Sequence, residues 1–188
     1  MQGFFLLFLR MAFSVKDFLA RLNWRQVVIH ALAFWFFMHA FETLYYLFNL
    51  EIISTFKASG NSTKKLLEEQ EVTVEDLSLF LIWQTLSGAI GWLTALFLSI
   101  ILSVKQRWFW LNVIFSLFLL LLLLRVPVWS YTKHLFYYPG RLFSNSITEF
   151  LINGGLLLTL GLLLFFLKPI NRFIERGAFH LTTSSDEL

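Results

Sequence analysis

The chain of 188 residues has no cysteine, which excludes disulfides, iron–sulfur clusters, thiolate zinc sites and palmitoylation. Charge is scarce as well: Asp, Glu, Lys and Arg make up 14% of the residues, against roughly a quarter in a soluble domain. With 57% of residues hydrophobic, that balance is the one expected of an integral membrane protein. Four apolar runs take up about 80 residues at about 20 per membrane span. The remainder is split among short segments, none approaching a soluble catalytic domain of about 100 residues. A kinase, a nucleotide-binding fold and a DNA-binding domain are excluded on that ground, and nucleic acid is not an expected partner. No basic segment precedes the short apolar stretch Gly3–Leu9, which Arg10 ends, so a secretory leader is not expected. Position 2 is Gln, so myristoylation is not expected either.

The four runs extend from Val27 to Leu50, Leu79 to Ser103, Trp108 to Leu124 and Phe150 to Leu167. Unpaired backbone amides are too costly in hydrocarbon for open strands, so each run predicts a helix. Ahead of them, Phe4, Phe8, Met11, Val15, Phe18 and Leu22 recur at alternating spacings of four and three, which places them on one helical face. The expected fold is therefore an all-α integral membrane protein with four transmembrane helices and an N-terminal amphipathic interfacial helix. Its parts are a surface segment over 1–26, a membrane domain over 27–167 and a short cytoplasmic tail over 168–188.

Two outer connections, 51–78 and 125–149, interrupt the membrane domain. In the first, residues 57–62 are turn-rich, Lys64–Glu71 suits a short solvated helix, and Asn61-Ser62-Thr63 matches a glycosylation acceptor. Thr73 and Asp76 form a capping-box pattern, so the second long helix is expected to start there. The second connection mixes Trp129, Tyr131, Phe136, Tyr137, Tyr138 and Phe143 with basic residues, as membrane interfaces do, and breaks at Pro127 and Pro139-Gly140. Of the 15 Lys and Arg, nine lie before the first run, between the second and third, and after the fourth; six lie on the other side. The excess predicts both termini in the cytoplasm.

His39 and Glu42 are the most informative residues, because an ionisable group near the middle of a span costs at least ~2.5 kcal/mol and needs a partner. Three residues apart on a helix, the two side chains share a face and come within bonding reach. Tyr46 and Asn49 continue the same seam. In the second run, Ser87, Gly91, Ala95 and Ser99 form a stripe of small residues that lets another helix approach closely, with Gln84 above it. The fourth run adds Asn153, Gly154, Gly155, Thr159 and Gly161. The third, with its unbroken Leu119–Leu124, shows no comparable face and is expected to touch lipid.

Two readings of this cluster stand side by side. In one it holds the bundle together. In the other His39, Glu42, Tyr46, Asn49, Gln84 and Asn153 line a pocket open to the outer leaflet, for a lipid, a quinone or a partner's helix. No cofactor is expected: His30 and His39 point to opposite faces and cannot both ligate one haem. No metal is expected either, since His39 and Glu42 leave a zinc set two ligands short, with Glu149 the one further candidate.

His30, followed by Phe34-Trp35 and then Glu42 in an amino-cytoplasmic first helix, resembles the opening helix of the four-helix membrane region in a class of bacterial sensor histidine kinases. The resemblance covers that helix alone, without a phosphoacceptor helix or an ATP-binding domain. It implies a bacterial inner-membrane module that senses or couples, and no catalytic residue. The expected function is that of a non-enzymatic accessory, scaffolding or sensory subunit that contacts membrane lipid and other membrane proteins or a second copy of itself. The alternative is a small transporter or proton-linked carrier using Glu42 and His39.

Overall fold

Two asparagines and a threonine start the three long helices. The computed structural model describes residues 21–58, 67, 72–106, 108–125, 138–143 and 145–183, and all regular structure among them is helical. Helix α1, Trp24–Tyr45, begins where the Asn23 side chain accepts from the Gln26 amide at 3.3 Å. Its last turn tightens into a 3-10 segment, Tyr46–Phe48, and α2, Leu50–Ala58, follows at once. The first apolar run is thus two helices with a break at Asn49, rather than one helix through Leu50. Helix α3, Val74–Ser103, opens on the expected capping box, in which Asp76 N donates to Thr73 Oγ1 at 3.1 Å and Thr73 N to Asp76 Oδ2 at 3.4 Å.

Helix α4 is Phe109–Arg125 and α5 is Ser146–Phe166, the latter capped by Asn145. Between α3 and α4 the chain turns through Trp108, whose φ of 63° lies in the left-handed region that a bulky side chain rarely adopts. The Arg21 guanidinium sits 4.9 Å over its ring. Helix α5 stops because Pro169 has no N–H to give the Phe165 carbonyl and its ring would strike that group. Leu167 takes an extended conformation and its carbonyl accepts from Ile170 N at 2.9 Å and Asn171 N at 3.1 Å. That restarts the chain as α6, Lys168–Thr183. The segment read as a short tail is therefore a sixteen-residue helix for most of its length. Ile170, Phe173 and Ile174 follow at helical spacing, with Asn171 and Arg172 between them and Glu175 and Arg176 after them.

Helix α1 is the axis of the assembly and packs against α3, α4, α5 and α6, whereas α3 and α5 barely meet. It runs parallel to α4 and antiparallel to α3 and α5, as the side-chain pairs given below require. Among the described residues, three helices are long and apolar enough to cross a membrane: Trp24–Phe48, Val74–Ser103 and Ser146–Phe166; α4 is shorter, at 17 residues. The first has the lowest mean hydropathy of the three, 1.5 against 1.9 for each of the others, and is the most enclosed, 61% buried against 22% and 33%. In α3 the buried positions between 88 and 103 are the small residues Gly88, Gly91, Ala95, Ser99 and Ser103, while Ile82, Trp83, Ile90, Phe97 and Ile101 face outward.

Phe37 shows how close this packing is. A Cβ at Gly91 of α3 would overlap the Phe37 carbonyl oxygen, and one at Gly161 of α5 would come within 2.7 Å of its ring. Gly154 meets Leu44 in the same way, at 2.8 Å. Gly155 does not belong to this contact: nothing lies within 4 Å of a Cβ there, because its neighbour in sequence already occupies the face toward α1.

Two sequence expectations are corrected by the packing. Leu22, Asn23 and Gln26 are buried against the bundle, so the bundle draws on residues assigned to the surface segment. Helix α4 also has a buried face, formed by Phe109, Asn112, Val113, Ser116 and Leu120. The amphipathic pattern from Phe4 to Phe18, the Asn61-Ser62-Thr63 acceptor, nearly all of Lys64–Glu71 and the aromatic stretch from Trp129 to Tyr137 lie outside the described residues.

Candidate functional site

Polar groups on α1 are buried in two clusters, one at each end of the helix. Toward its carboxyl end, His39 Nδ1 lies 2.7 Å from Glu42 Oε2, as the spacing of three residues allows. Trp35 meets the His39 ring edge-on at 4.6 Å between centroids, and the Thr43 hydroxyl donates to the His39 carbonyl at 2.7 Å. The carboxylate rests against α3, where a Cβ on Gly88 would come within 2.6 Å of Glu42 Oε1. The glycine at 88 is what admits an acidic side chain between the two helices.

The other residues of the expected pocket make their contacts elsewhere instead of converging on this pair. Gln84 Nε2 donates to the Tyr46 hydroxyl at 2.8 Å, and the Ser87 hydroxyl to the Phe41 carbonyl at 2.9 Å. Both contacts bridge α1 and α3. Asn49 Nδ2 donates to the Tyr45 carbonyl at 3.3 Å, within its own turn. Asn153 is buried on α5 and accepts from the Gly140 amide at 2.9 Å, holding the turn at 138–143 against that helix. Gly140 is confined there, since a Cβ would overlap the Glu149 carbonyl oxygen. No three His, Asp or Glu side chains gather among the described residues, so Glu149 does not join His39 and Glu42 in a ligand set.

The cluster at the amino end of α1 was missed in the sequence. Asn112 of α4 accepts from the Asn23 amide at 2.9 Å and donates through Nδ2 to Gln26 Oε1 at 2.8 Å. Asn23 Nδ2 in turn donates to the Ile174 carbonyl of α6 at 2.9 Å. One turn further along α1, His30 Nδ1 lies 3.0 Å from the Ser99 hydroxyl of α3. The His30 ring stands 5.7 Å from that of Phe165 in α5. Arg25 donates to the Phe173 carbonyl at 3.1 Å and covers that ring at 4.6 Å. Four helices and α6 are thus joined at one level. Gln26 Nε2 is buried there without a hydrogen-bond partner among the described residues.

A cavity of about 130 Å³ opens beside this second cluster, between His30, Ser103, Gln106, Phe165, Asn171 and Glu175. It lies at the opposite end of α1 from the pocket expected around His39 and Glu42. The signal for the amino-end cluster was present: Asn23, Gln26 and His30 follow at spacings of three and four, and Asn112 and Ser116 share one face of α4. No protein-family model, characterised protein or solved structure matches the chain.

Proposed function

We propose that the chain is a non-enzymatic integral membrane protein, spanning the bilayer four times with both termini in the cytoplasm, that acts as an accessory or sensory subunit of a bacterial inner membrane. The observation that carries this reading is how the polar groups are spent. Outside the cavity, those of α1 are engaged with one another or with neighbouring helices, Gln26 Nε2 excepted, and the broad surfaces that α3, α4 and α5 present are apolar. Such surfaces suit lipid and the helices of other membrane proteins. Helix α4, at 17 residues, extends about 25 Å at 1.5 Å per residue, near the lower limit for a span. Trp108 and Trp110 at one end and Arg125 at the other are the residue types that anchor a short span at its interfaces. The resemblance of the first helix to sensor-kinase membrane regions agrees with a coupling role.

The test is recovery of the full chain from native membranes in mild detergent after crosslinking. A lone monomer, with no crosslinked membrane partner or second copy, refutes the proposal. The absence of cysteine makes orientation directly testable, using single cysteines and an impermeant thiol reagent. Residues 61 and 142 are expected to label from outside and 105 and 183 only after permeabilisation; the reverse pattern inverts the topology. Leu142 is 71% exposed, whereas Gly140 beside it has no room for a side chain.

A second reading, a proton-linked carrier, draws on the 2.7 Å contact of His39 with Glu42. In reconstituted vesicles a pH-driven flux lost in Glu42→Gln would favour it over the first.

A further inference from the structure

The cleft beside His30 has a buried floor with two unspent polar groups. Ser99 is fully buried, and the only partner of its hydroxyl among the described residues is His30 Nδ1 at 3.0 Å. Donation from the hydroxyl to Nδ1 is the favoured arrangement, because the reverse leaves a fully buried O–H unmet, whereas Nε2–H can be met from the cleft that His30 lines. In that arrangement the ring carries its proton on Nε2, and Nε2–H is a donor with no acceptor among the described residues. Ser103, 9% exposed and four residues after Ser99, lines the same cleft, and its hydroxyl has no partner among the described residues.

The walls are Leu102, Leu164, Phe165 and Ile174, and the rim is Gln106, Asn171 and Glu175. Glu175 is the one formally charged residue of this lining, which makes the mouth unwelcoming to anions and leaves a carboxylate or phosphate no cation to meet. The volume of about 130 Å³ is close to that of an engineered protein cavity of about 150 Å³ that takes up benzene, and so fits a single six-membered ring.

We propose that this cleft binds a neutral, ring-sized molecule that enters oxygen first, its carbonyl or phenolic oxygen accepting from His30 Nε2–H and meeting the Ser103 hydroxyl while its ring lies along Phe165. Quinone and phenol head groups have this chemistry. They reach a membrane protein either attached to a lipid tail or as free small molecules. The site differs from the pocket expected at His39 and Glu42, and it stands whether or not the accessory-subunit reading holds.

The experiment is a calorimetric titration of the full-length protein in detergent micelles with 1,4-benzoquinone, in parallel with a decyl-chain benzoquinone and with benzoate. Saturable binding of the unsubstituted quinone is expected. Ser103→Leu, which fills the floor, and Asn171→Trp, which closes the rim without entering the packed bundle, should each weaken it by about tenfold or more, the equivalent of one lost hydrogen bond or a blocked contact. His30→Leu should do the same, and the Asn171 variant keeps the test valid if the histidine variant does not fold. Tighter binding of the decyl compound indicates a membrane-dissolved source, and equal binding a free one; both outcomes support the site. Uptake that does not saturate, uptake unchanged by Ser103→Leu and Asn171→Trp, or benzoate binding as tight as the quinone overturns the proposal.

Discussion

The two ends of α1 bury polar groups in different ways. At the carboxyl end a single ionisable pair, His39 and Glu42, forms within one helix and leans on α3 through Gly88. At the amino end Asn23, Gln26, His30, Asn112 and Ser99 are neutral or weakly basic, and nearly every bond they make crosses from one helix to another. The first arrangement satisfies itself before the bundle assembles. The second is satisfied only by assembly. Polar residues in apolar helices can therefore serve opposite ends: a local pair satisfies an ionisable group within its own helix, and a cross-helix network specifies which helices meet.

The change expected to do the most damage strikes between the clusters. Gly91→Leu would drive a side chain into the Phe37 backbone and part α1 from α3 along their whole contact, costing about 3 kcal/mol or more. Thermal unfolding in detergent, followed by far-UV circular dichroism, would show it; a variant as stable as the parent would mean the two helices are not packed this closely. Next is Asn112→Leu, which strips partners from Asn23 and Gln26 at once and should cost about 2–3 kcal/mol. Glu42→Leu leaves only His39 without its partner, an expected loss of about 1–3 kcal/mol. Should Glu42→Leu prove the more damaging of the two, the contrast between a self-satisfied pair and an assembly-dependent network fails.

Smaller changes sharpen the same contrast. Glu42→Gln keeps the shape and much of the hydrogen bonding, so stability should move by less than about 1 kcal/mol. A loss of cellular function with folding intact would then assign the carboxylate a role that depends on charge or protonation. The least effect is expected at Gly155, where an added methyl meets nothing: Gly155→Ala should stabilise the helix by about 0.5–1 kcal/mol. Gly154→Ala, one residue away, presses on Leu44 and should destabilise. Equal effects at the two positions would remove α5 from its assigned rotation against α1.

What could be read in advance follows from how local each feature is. The His39–Glu42 contact, the Thr73–Asp76 cap and the small-residue stripe of α3 are repeats within one helix, and helical periodicity exposes them. The Asn112–Gln26 bond joins residues 86 apart, and Asn112 sits in a run so apolar that a lone amide reads as tolerated rather than used. Its meaning lay in the pairing of two faces, Asn23–Gln26–His30 on α1 and Asn112–Ser116 on α4, which one helix at a time does not reveal. Helix α6 was overlooked for a different reason: a proline beside a lysine reads as an end, whereas here Pro169 ends α5 and occupies the first turn of the next helix.

That the least apolar of the long helices is also the most enclosed bears on how the protein is made. Helix α1 emerges from the ribosome before every neighbour it needs. On reaching a membrane alone, it would carry unmet amides and a histidine whose partners, on α3, α4 and α6, have not yet been translated. Under the proposed membrane placement, its insertion is marginal by itself and becomes secure as each later helix arrives. The last bond to the Asn23 side chain closes only when Ile174 has been synthesised. A chain stalled or cut before that point retains an incomplete axis, the state a membrane quality-control protease would recognise by its exposed polar groups. Synthesis of α6 is in this way reported at α1.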